Sequence, residues 1–155
     1  MYAHSGAAKT CPTTAISFNL PNTILAASNQ KGLISLYPMS DLADQGSQAT
    51  PTTNYVPEIT TLRASDSCIN QIQFSHLDRK LLCAGADDSI VTLYDVESAK
   101  QVFQFQQGHK SSVKGVAFSP LNKLLLASVG LDKNIVFYDI NDKIIVKRIR
   151  ADFPF

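Results

Sequence analysis

Three side chains in the last third of the chain are of the types that make a hydrolytic triad: His109, Ser128 and Asp132. A serine nucleophile needs a histidine touching it as base, a carboxylate orienting that histidine, and donors waiting for the oxyanion. No turn of the GxSxG kind is present to expose the serine, and nothing nearby supplies an oxyanion hole. The set is therefore expected to hold structure and no catalytic residue is assigned; a hydrolase built on these three residues is kept as the reading from a different function class. The pair Asp87-Asp88 is read as a turn, because a calcium loop needs several oxygen ligands at set intervals and Ser89-Ile90-Val91 supplies a strand instead. His76, in the turn Ser75-His76-Leu77-Asp78, and His4, near the N-terminus, are read as solvent-facing. Cys11, Cys68 and Cys83 form no CxxC pair and have no histidine at zinc-ligand spacing, so they are read as reduced, buried thiols. No metal or cofactor is expected.

Lys143, Lys147, Arg148 and Arg150 form a basic run that strand alternation places partly on one side. It is either a solvated outer edge, whose charges discourage edge-to-edge pairing, or a contact edge for an acidic tail or phosphates. No aromatic residues are interleaved with it to stack bases. With 155 residues, 45% hydrophobic, 17% charged and a net charge of +1, the chain has the composition of a folded domain and no overall field to draw in nucleic acid or an anionic membrane. Partners are expected to be other proteins. Met1 to Thr10 lacks the apolar core of a signal peptide, and the run Leu124-Leu125-Leu126-Ala127 is too short to span a bilayer, which together point to the cytoplasm or nucleus.

The elements that position these residues repeat. Phe74 and Phe118, Asp88 and Asp132, and Tyr94 and Tyr138 each stand 44 residues apart, with no gap in between. A fainter copy lies upstream, in Ile16-Ser17-Phe18, Leu25-Ala26-Ala27-Ser28 and Leu33-Ile34-Ser35-Leu36-Tyr37. Within the third copy, strands are predicted over Val113 to Phe118, Leu124 to Ser128 and Asn134 to Tyr138, separated by Ser119-Pro120-Leu121-Asn122 and Gly130-Leu131-Asp132-Lys133. Fourth strands are predicted at Tyr55 to Leu62, Gln101 to Phe105 and Lys143 to Ile149. Because Ile135-Val136-Phe137-Tyr138 is apolar on both faces, that strand is expected to lie between two layers. Four short strands recurring every 44 residues, each sheet covered by its neighbours, describe the blades of a β-propeller, all-β and without helix.

The third copy closely resembles the WD-repeat signature, through Gly108-His109, Val113, Ala117-Phe118-Ser119-Pro120, Leu126-Ala127-Ser128, Asp132 and Tyr138-Asp139, with tyrosine where the family has tryptophan. The resemblance implies that His109, Ser128, Asp132 and Tyr138 form a structural hydrogen-bonded set. The second copy keeps Asp88 and Tyr94-Asp95 but has Ala64-Ser65 for Gly-His and Ala84 for the serine, while the first, ending Tyr37-Pro38, has lost nearly all of the polar set. More particularly, Asp88-Ser89-Ile90-Val91-Thr92-Leu93-Tyr94-Asp95-Val96, Gly108-His109-Lys110, Phe118-Ser119-Pro120-Leu121-Asn122-Lys123-Leu124-Leu125, Val129-Gly130-Leu131-Asp132-Lys133 and Ala151-Asp152-Phe153-Pro154 are similar to the centrosomal WD-repeat family that targets the gamma-tubulin ring complex. That resemblance implies a non-catalytic scaffold, found in the cytoplasm and at centrosomes and spindle, that recruits gamma-tubulin complexes for microtubule nucleation. In the family a propeller localises the protein and a helical region, not visible in this sequence, holds the complex. The alternative is a generic WD-repeat adaptor in a ubiquitin-ligase or trafficking assembly.

The expected organisation is a lead-in at 1–11, repeats at 12–63, 64–107 and 108–151, and the start of another blade at 152–155. An inserted polar loop, 38–58, stretches the first repeat and carries Thr50-Pro51, a dipeptide a proline-directed kinase would accept. A closed propeller needs four to eight blades. Three blades are therefore expected to be a piece of a longer protein, with end faces that promote self-association when the piece stands alone.

Overall fold

Residues 11–20, 22–39 and 59–152 are described by the computed structural model. Their strands fall into three four-stranded antiparallel meanders. The first blade is β1 (Thr13–Phe18), β2 (Ile24–Asn29), β3 (Leu33–Pro38) and β4 (Thr60–Arg63). The second is β5 (Ile69–Phe74), β6 (Leu81–Ala86), β7 (Val91–Asp95) and β8 (Lys100–Phe105). β9 (Val113–Phe118), β10 (Leu125–Gly130), β11 (Asn134–Asp139) and β12 (Ile144–Arg150) make the third. The blades approach most closely through their first strands, β5 lying beside β1 and β9 beside β5. Sheets that converge at one strand and fan apart are blades of a propeller, here a partial one. Among the described residues there is no helix.

The 44-residue period reappears as turn chemistry. Ser75 Oγ accepts the N–H groups of Leu77 and Asp78, and Ser119 Oγ those of Leu121 and Asn122, at the same place in successive blades. Asp95 Oδ1 accepts from Glu97 and Ser98, and Asp139 Oδ1 from Asn141 and Asp142, so the aspartate after each tyrosine closes the turn into the outer strand. The residue two places before β7 or one before β11 takes a left-handed conformation: Ser89 at φ 68° and Lys133 at φ 65°. At the matching point of the first blade stands Gly32, φ 76°, where a Cβ would come 1.9 Å from the carbonyl oxygen of Ser65. Glycine is needed there because Gly32 O accepts from Ala64 N and Ser65 N, joining the first blade to the segment entering the second.

Two apolar cores lie between the three blades. One packs Ala26, Ile34, Leu36 and Leu62 of the first blade against Ile72, Phe74, Leu82 and Tyr94 of the second. The other packs Cys83, Val91, Leu93 and Phe105 against Val116, Phe118, Leu126, Val136 and Tyr138. Among the described residues, only the second blade is covered on both sides. At one position of the repeat, Phe74 is 2% exposed and Phe118 4%, whereas Phe18 of the first blade is 49% exposed beside Ile16 at 60%. The expectation that Ile135-Val136-Phe137-Tyr138 lies between two layers holds on one side only. Val136 and Tyr138 are buried against the second blade, while Ile135 and Phe137 are half-buried on the face turned away from it.

Several predicted boundaries shift. The fourth strand of the first blade is the short Thr60–Arg63, residues 55–58 lying outside the described residues. The inserted loop does not begin at Pro38, which ends β3 opposite Ile24. Proline is tolerated there as the last strand residue; residues 40–58, Thr50 included, lie outside the described residues. Gly130 belongs to β10 rather than to the turn, paired through a bulge with Val113. Of the three cysteines only Cys83 is buried, which pushes its thiol pKa up; Cys11 and Cys68 are half-buried, and all three are free. His76 is exposed and His4 lies outside the described residues.

Candidate functional site

In the third blade the four residues singled out from the sequence meet in one line. The ring of His109 stands between the blade's top turn and its second strand, Nδ1 2.9 Å from Asp132 Oδ1 and Nε2 2.7 Å from Ser128 Oγ. Ser128 Oγ is in turn 2.8 Å from the hydroxyl of Tyr138. One direction of donation satisfies every atom: Tyr138 O–H to Ser128, Ser128 O–H to His109 Nε2, and His109 Nδ1–H to the Asp132 carboxylate. Asp132 also accepts from the N–H of Lys110 and from the backbone N–H and side-chain amide of Asn134. Burial acts to raise its pKa, but these donors outweigh burial and hold it at about 2. For Tyr138 burial dominates, and the phenol is pushed up to about 12 despite its bond to Ser128.

Strand geometry makes the line possible. Ser128 on β10 and Tyr138 on β11 are two residue pairs apart in register, Leu126 opposite Tyr138 and Ser128 opposite Val136, and both project to the face that meets the second blade. Tyr138 packs its ring at 4.4 Å from that of Phe105. Gly108 gives it room: a Cβ on residue 108 would stand 2.2 Å from the tyrosine hydroxyl. Tyrosine thus reaches the serine from the position where the WD signature has tryptophan.

The second blade solves the same corner with fewer atoms. Ser65 stands at the histidine's position and donates directly to Asp88 Oδ2 at 2.5 Å, while its Oγ accepts from Ser67 N. Ala84 offers nothing at the serine's position, and the Tyr94 hydroxyl turns instead to the buried Thr92 side chain and, at a long 3.4 Å, to the carbonyl of Arg63. Burial raises its pKa to about 12 as well. Asp87, expected to be only a turn residue, gathers donors from both sides of the blade junction: Asn70 Nδ2 of its own blade at 2.8 Å, and from the third blade the Ser112 hydroxyl and Lys114 Nζ at 2.9 Å. Those donors lower its carboxyl to about 2. Among the described residues, no group of three or more His, Cys, Asp or Glu side chains is placed to hold a metal ion.

The basic run divides between two faces. Lys147 is opposite Phe137 on the face turned away from the second blade. Arg148 donates to the carbonyl of Gln107, Arg150 lines a cavity with Gln107 and Gly108, and Lys143 Nζ sits 5.4 Å from the centroid of Phe103, so these three face the second blade. Sequence reasoning missed the glutamines of β5. Gln71 Oε1 accepts from Val116 N at 3.2 Å and Gln73 Oε1 from Phe118 N at 2.6 Å, tying the innermost strands of two blades, as Ser17 Oγ ties Phe74 N at 3.0 Å. The alternation Gln71, Ile72, Gln73, Phe74 carries the signal: polar residues on one face of a strand whose other face is core.

The WD domain, G-beta repeat family matches residues 57–95 and 99–139, more than half of the chain. Protein NEDD1 of Bos taurus is 41% identical over 90 residues, which cover 58% of this chain and 14% of that protein. DDB1- and CUL4-associated factor 10 of Danio rerio is 32% identical over 82 residues, 53% of this chain and 16% of that one. The chain therefore spans only about a seventh of the length of these relatives. Among solved structures, the crystal structure of RRP9 WD40 repeats superposes with a TM-score of 0.76 at 14% identity, over 94% of this chain and 40% of that one, a likeness of fold. Repeat period, blade topology and the family match agree: the chain belongs to the WD domain, G-beta repeat family.

Proposed function

We propose that the chain is part of a non-catalytic scaffold that helps to bring gamma-tubulin complexes to centrosomes and spindle. One observation carries this: the stretch 41% identical to protein NEDD1 lies in a chain whose motifs resemble the centrosomal WD-repeat family. The scaffold role is supported by the fate of the triad-like set. Ser128 is 2% exposed, with its hydroxyl engaged by His109 on one side and Tyr138 on the other, leaving no open approach for an electrophile. His109, Ser128, Asp132 and Tyr138 act as a clasp that holds the segment entering β9 against its blade, and a hydrolase is disfavoured on the same ground.

The test is to raise an antibody against residues 41–54 and image the native protein in dividing cells beside gamma-tubulin. Concentration at centrosomes and spindle poles, with gamma-tubulin in the immunoprecipitate, is the expected result. A second reading, an adaptor in a ubiquitin ligase, is favoured by the 32% identity to DDB1- and CUL4-associated factor 10. Recovery of DDB1 and CUL4 without gamma-tubulin would replace the first reading with that one. The chain purified alone is expected to self-associate through the exposed face around Ile16 and Phe18 and the open face of the third blade. A monodisperse monomer by light scattering would contradict that.

A further inference from the structure

At the perimeter between the second and third blades two cavities lie end to end. The first, about 530 Å³, has an apolar wall of Phe103, Phe105, Ile144 and Ile145, with Lys143 at its rim. The second, about 510 Å³, is lined by Lys110, Asp132, Asn134 and Arg150. Gln107 and Arg148 border both, so the two form one groove, apolar at one end and polar at the other.

The charges of this groove are unbalanced. Among the described residues, none of Lys110, Lys143, Arg148 and Arg150 forms an ion pair. The groove's carboxylate, Asp132, is already engaged by His109, the Lys110 N–H and Asn134. Arg148 spends part of its guanidinium on the Gln107 carbonyl, a bond that aims the group between the two cavities and leaves its charge uncompensated. Four cations thus converge on one groove in a chain whose net charge is only +1.

We propose that this groove docks an extended acidic segment of a partner protein, an apolar side chain seated against Phe103, Ile144 and Ile145 and the following carboxylates on Arg148, Arg150 and Lys110. The inference rests on the scaffold reading and names the chemistry of one partner. A peptide fits better than a nucleic acid. The wall of Phe103, Ile144 and Ile145 suits an apolar side chain rather than a sugar, and Phe103 has Lys143 over its ring and Phe105 at 4.9 Å in an edge contact, so it presents no open platform for stacking bases. Planar guanidinium groups match carboxylates in two-point geometry.

The experiment is a fluorescence anisotropy titration of the full chain with a labelled synthetic peptide, one leucine followed by four glutamates. Three controls accompany it: the same peptide with lysines for glutamates, the same peptide with serine for leucine, and a labelled oligothymidine. The acidic peptide is expected to bind, more weakly as salt shortens the Debye length from about 10 Å at 0.1 M, and both altered peptides to lose affinity. Arg148→Glu combined with Arg150→Glu is expected to weaken binding by about tenfold or more, while Lys147→Glu, a single charge reversal on the opposite face, leaves it intact. Ile144→Asp, at an exposed strand position, tests the apolar end without relying on the arginine pair and is expected to weaken binding too. Equal loss from Lys147→Glu and the arginine pair, tighter binding of the oligothymidine, or no binding of the acidic peptide would each overturn the proposal. Those failures leave centrosomal localisation untouched, so they are distinguishable from failure of the scaffold reading.

Discussion

The second and third blades have the same strands, the same register and the same turn caps, yet they close their upper corners differently. In the third blade four side chains run from Tyr138 through Ser128 and His109 to Asp132. In the second, Ser65 touches Asp88 directly and Tyr94 turns away from that pair, to Thr92 and a backbone carbonyl. Both tyrosines are nonetheless almost fully buried, Tyr94 in one core and Tyr138 in the other. Apolar faces and turns are therefore what the two blades share, and the polar chain, proposed to act as a lock, is what the second blade lacks. The glycine goes with the lock. Gly108 is required where the tyrosine hydroxyl passes on to a serine, and Ala64 suffices where it does not.

Removing the shared part should hurt both blades alike. Tyr138→Ala and Tyr94→Ala are each expected to cost about 3–5 kcal/mol, the range for emptying a large core site, measured by urea unfolding. A small loss for either one would break the claim that burial of this ring is common to both. The lock should separate them. His109→Ala is expected to cost about 1–3 kcal/mol, because it removes a buried partner from both Ser128 and Asp132, whereas Ser65→Ala, at a half-buried site with one carboxylate bond, should cost about 0.5–1 kcal/mol. A His109→Ala change within about 0.5 kcal/mol would mean that the lock contributes nothing.

Acid sharpens the same contrast. Asp132 is held at about 2 in the folded chain against roughly 3.9 for a free aspartate. A depressed carboxyl stabilises above its unfolded pKa and loses that contribution as pH falls through the folded one, so its share, on the order of 2 kcal/mol, should disappear between about pH 4 and pH 2. Asp132→Asn should therefore unfold more readily than the native chain at pH 6 and no differently near pH 2. A difference that persists at pH 2 would place the loss elsewhere than in the charge. The smallest effect is in the hydroxyls. Tyr138→Phe is expected to cost about 0.5–1.5 kcal/mol for a buried 2.8 Å bond, and Tyr94→Phe less than about 0.5 kcal/mol for its 3.4 Å contact.

The repeat and the strand order could be read from the sequence, because each rests on residues spaced 44 apart whose chemistry is local, β-branched runs and serine and aspartate caps, whereas the membership of the lock was implied by the resemblance of the third copy to the WD-repeat signature. What could not be read was what crosses between blades. Gln71, Gln73 and Ser17 bond backbone donors of the next blade, and Asp87 collects Asn70, Ser112 and Lys114 from both sides of a junction. Each belongs to one repeat in sequence and works in two in space, so a single repeat shows at most that a polar side chain is set on one face and not what it bonds. The basic run shows the same limit. Alternation places charges on faces, but the bulge in the pairing of β11 and β12 between Phe137 and Tyr138 shifts that alternation, and Lys143 ends up beside Arg148 over the second blade.

Whether the third blade's lock acts as one unit is decided most directly by a pair of double-mutant cycles on the full chain. His109→Ala is combined with Tyr138→Phe, two residues that meet only through Ser128, and Ser65→Ala with Tyr94→Phe, which lack that intermediary. A continuous chain of hydrogen bonds predicts a coupling of at least about 0.5 kcal/mol in the first cycle and additivity within about 0.3–0.5 kcal/mol in the second. Additive losses for His109 and Tyr138 would contradict the lock and leave the two blades differing in sequence but not in construction.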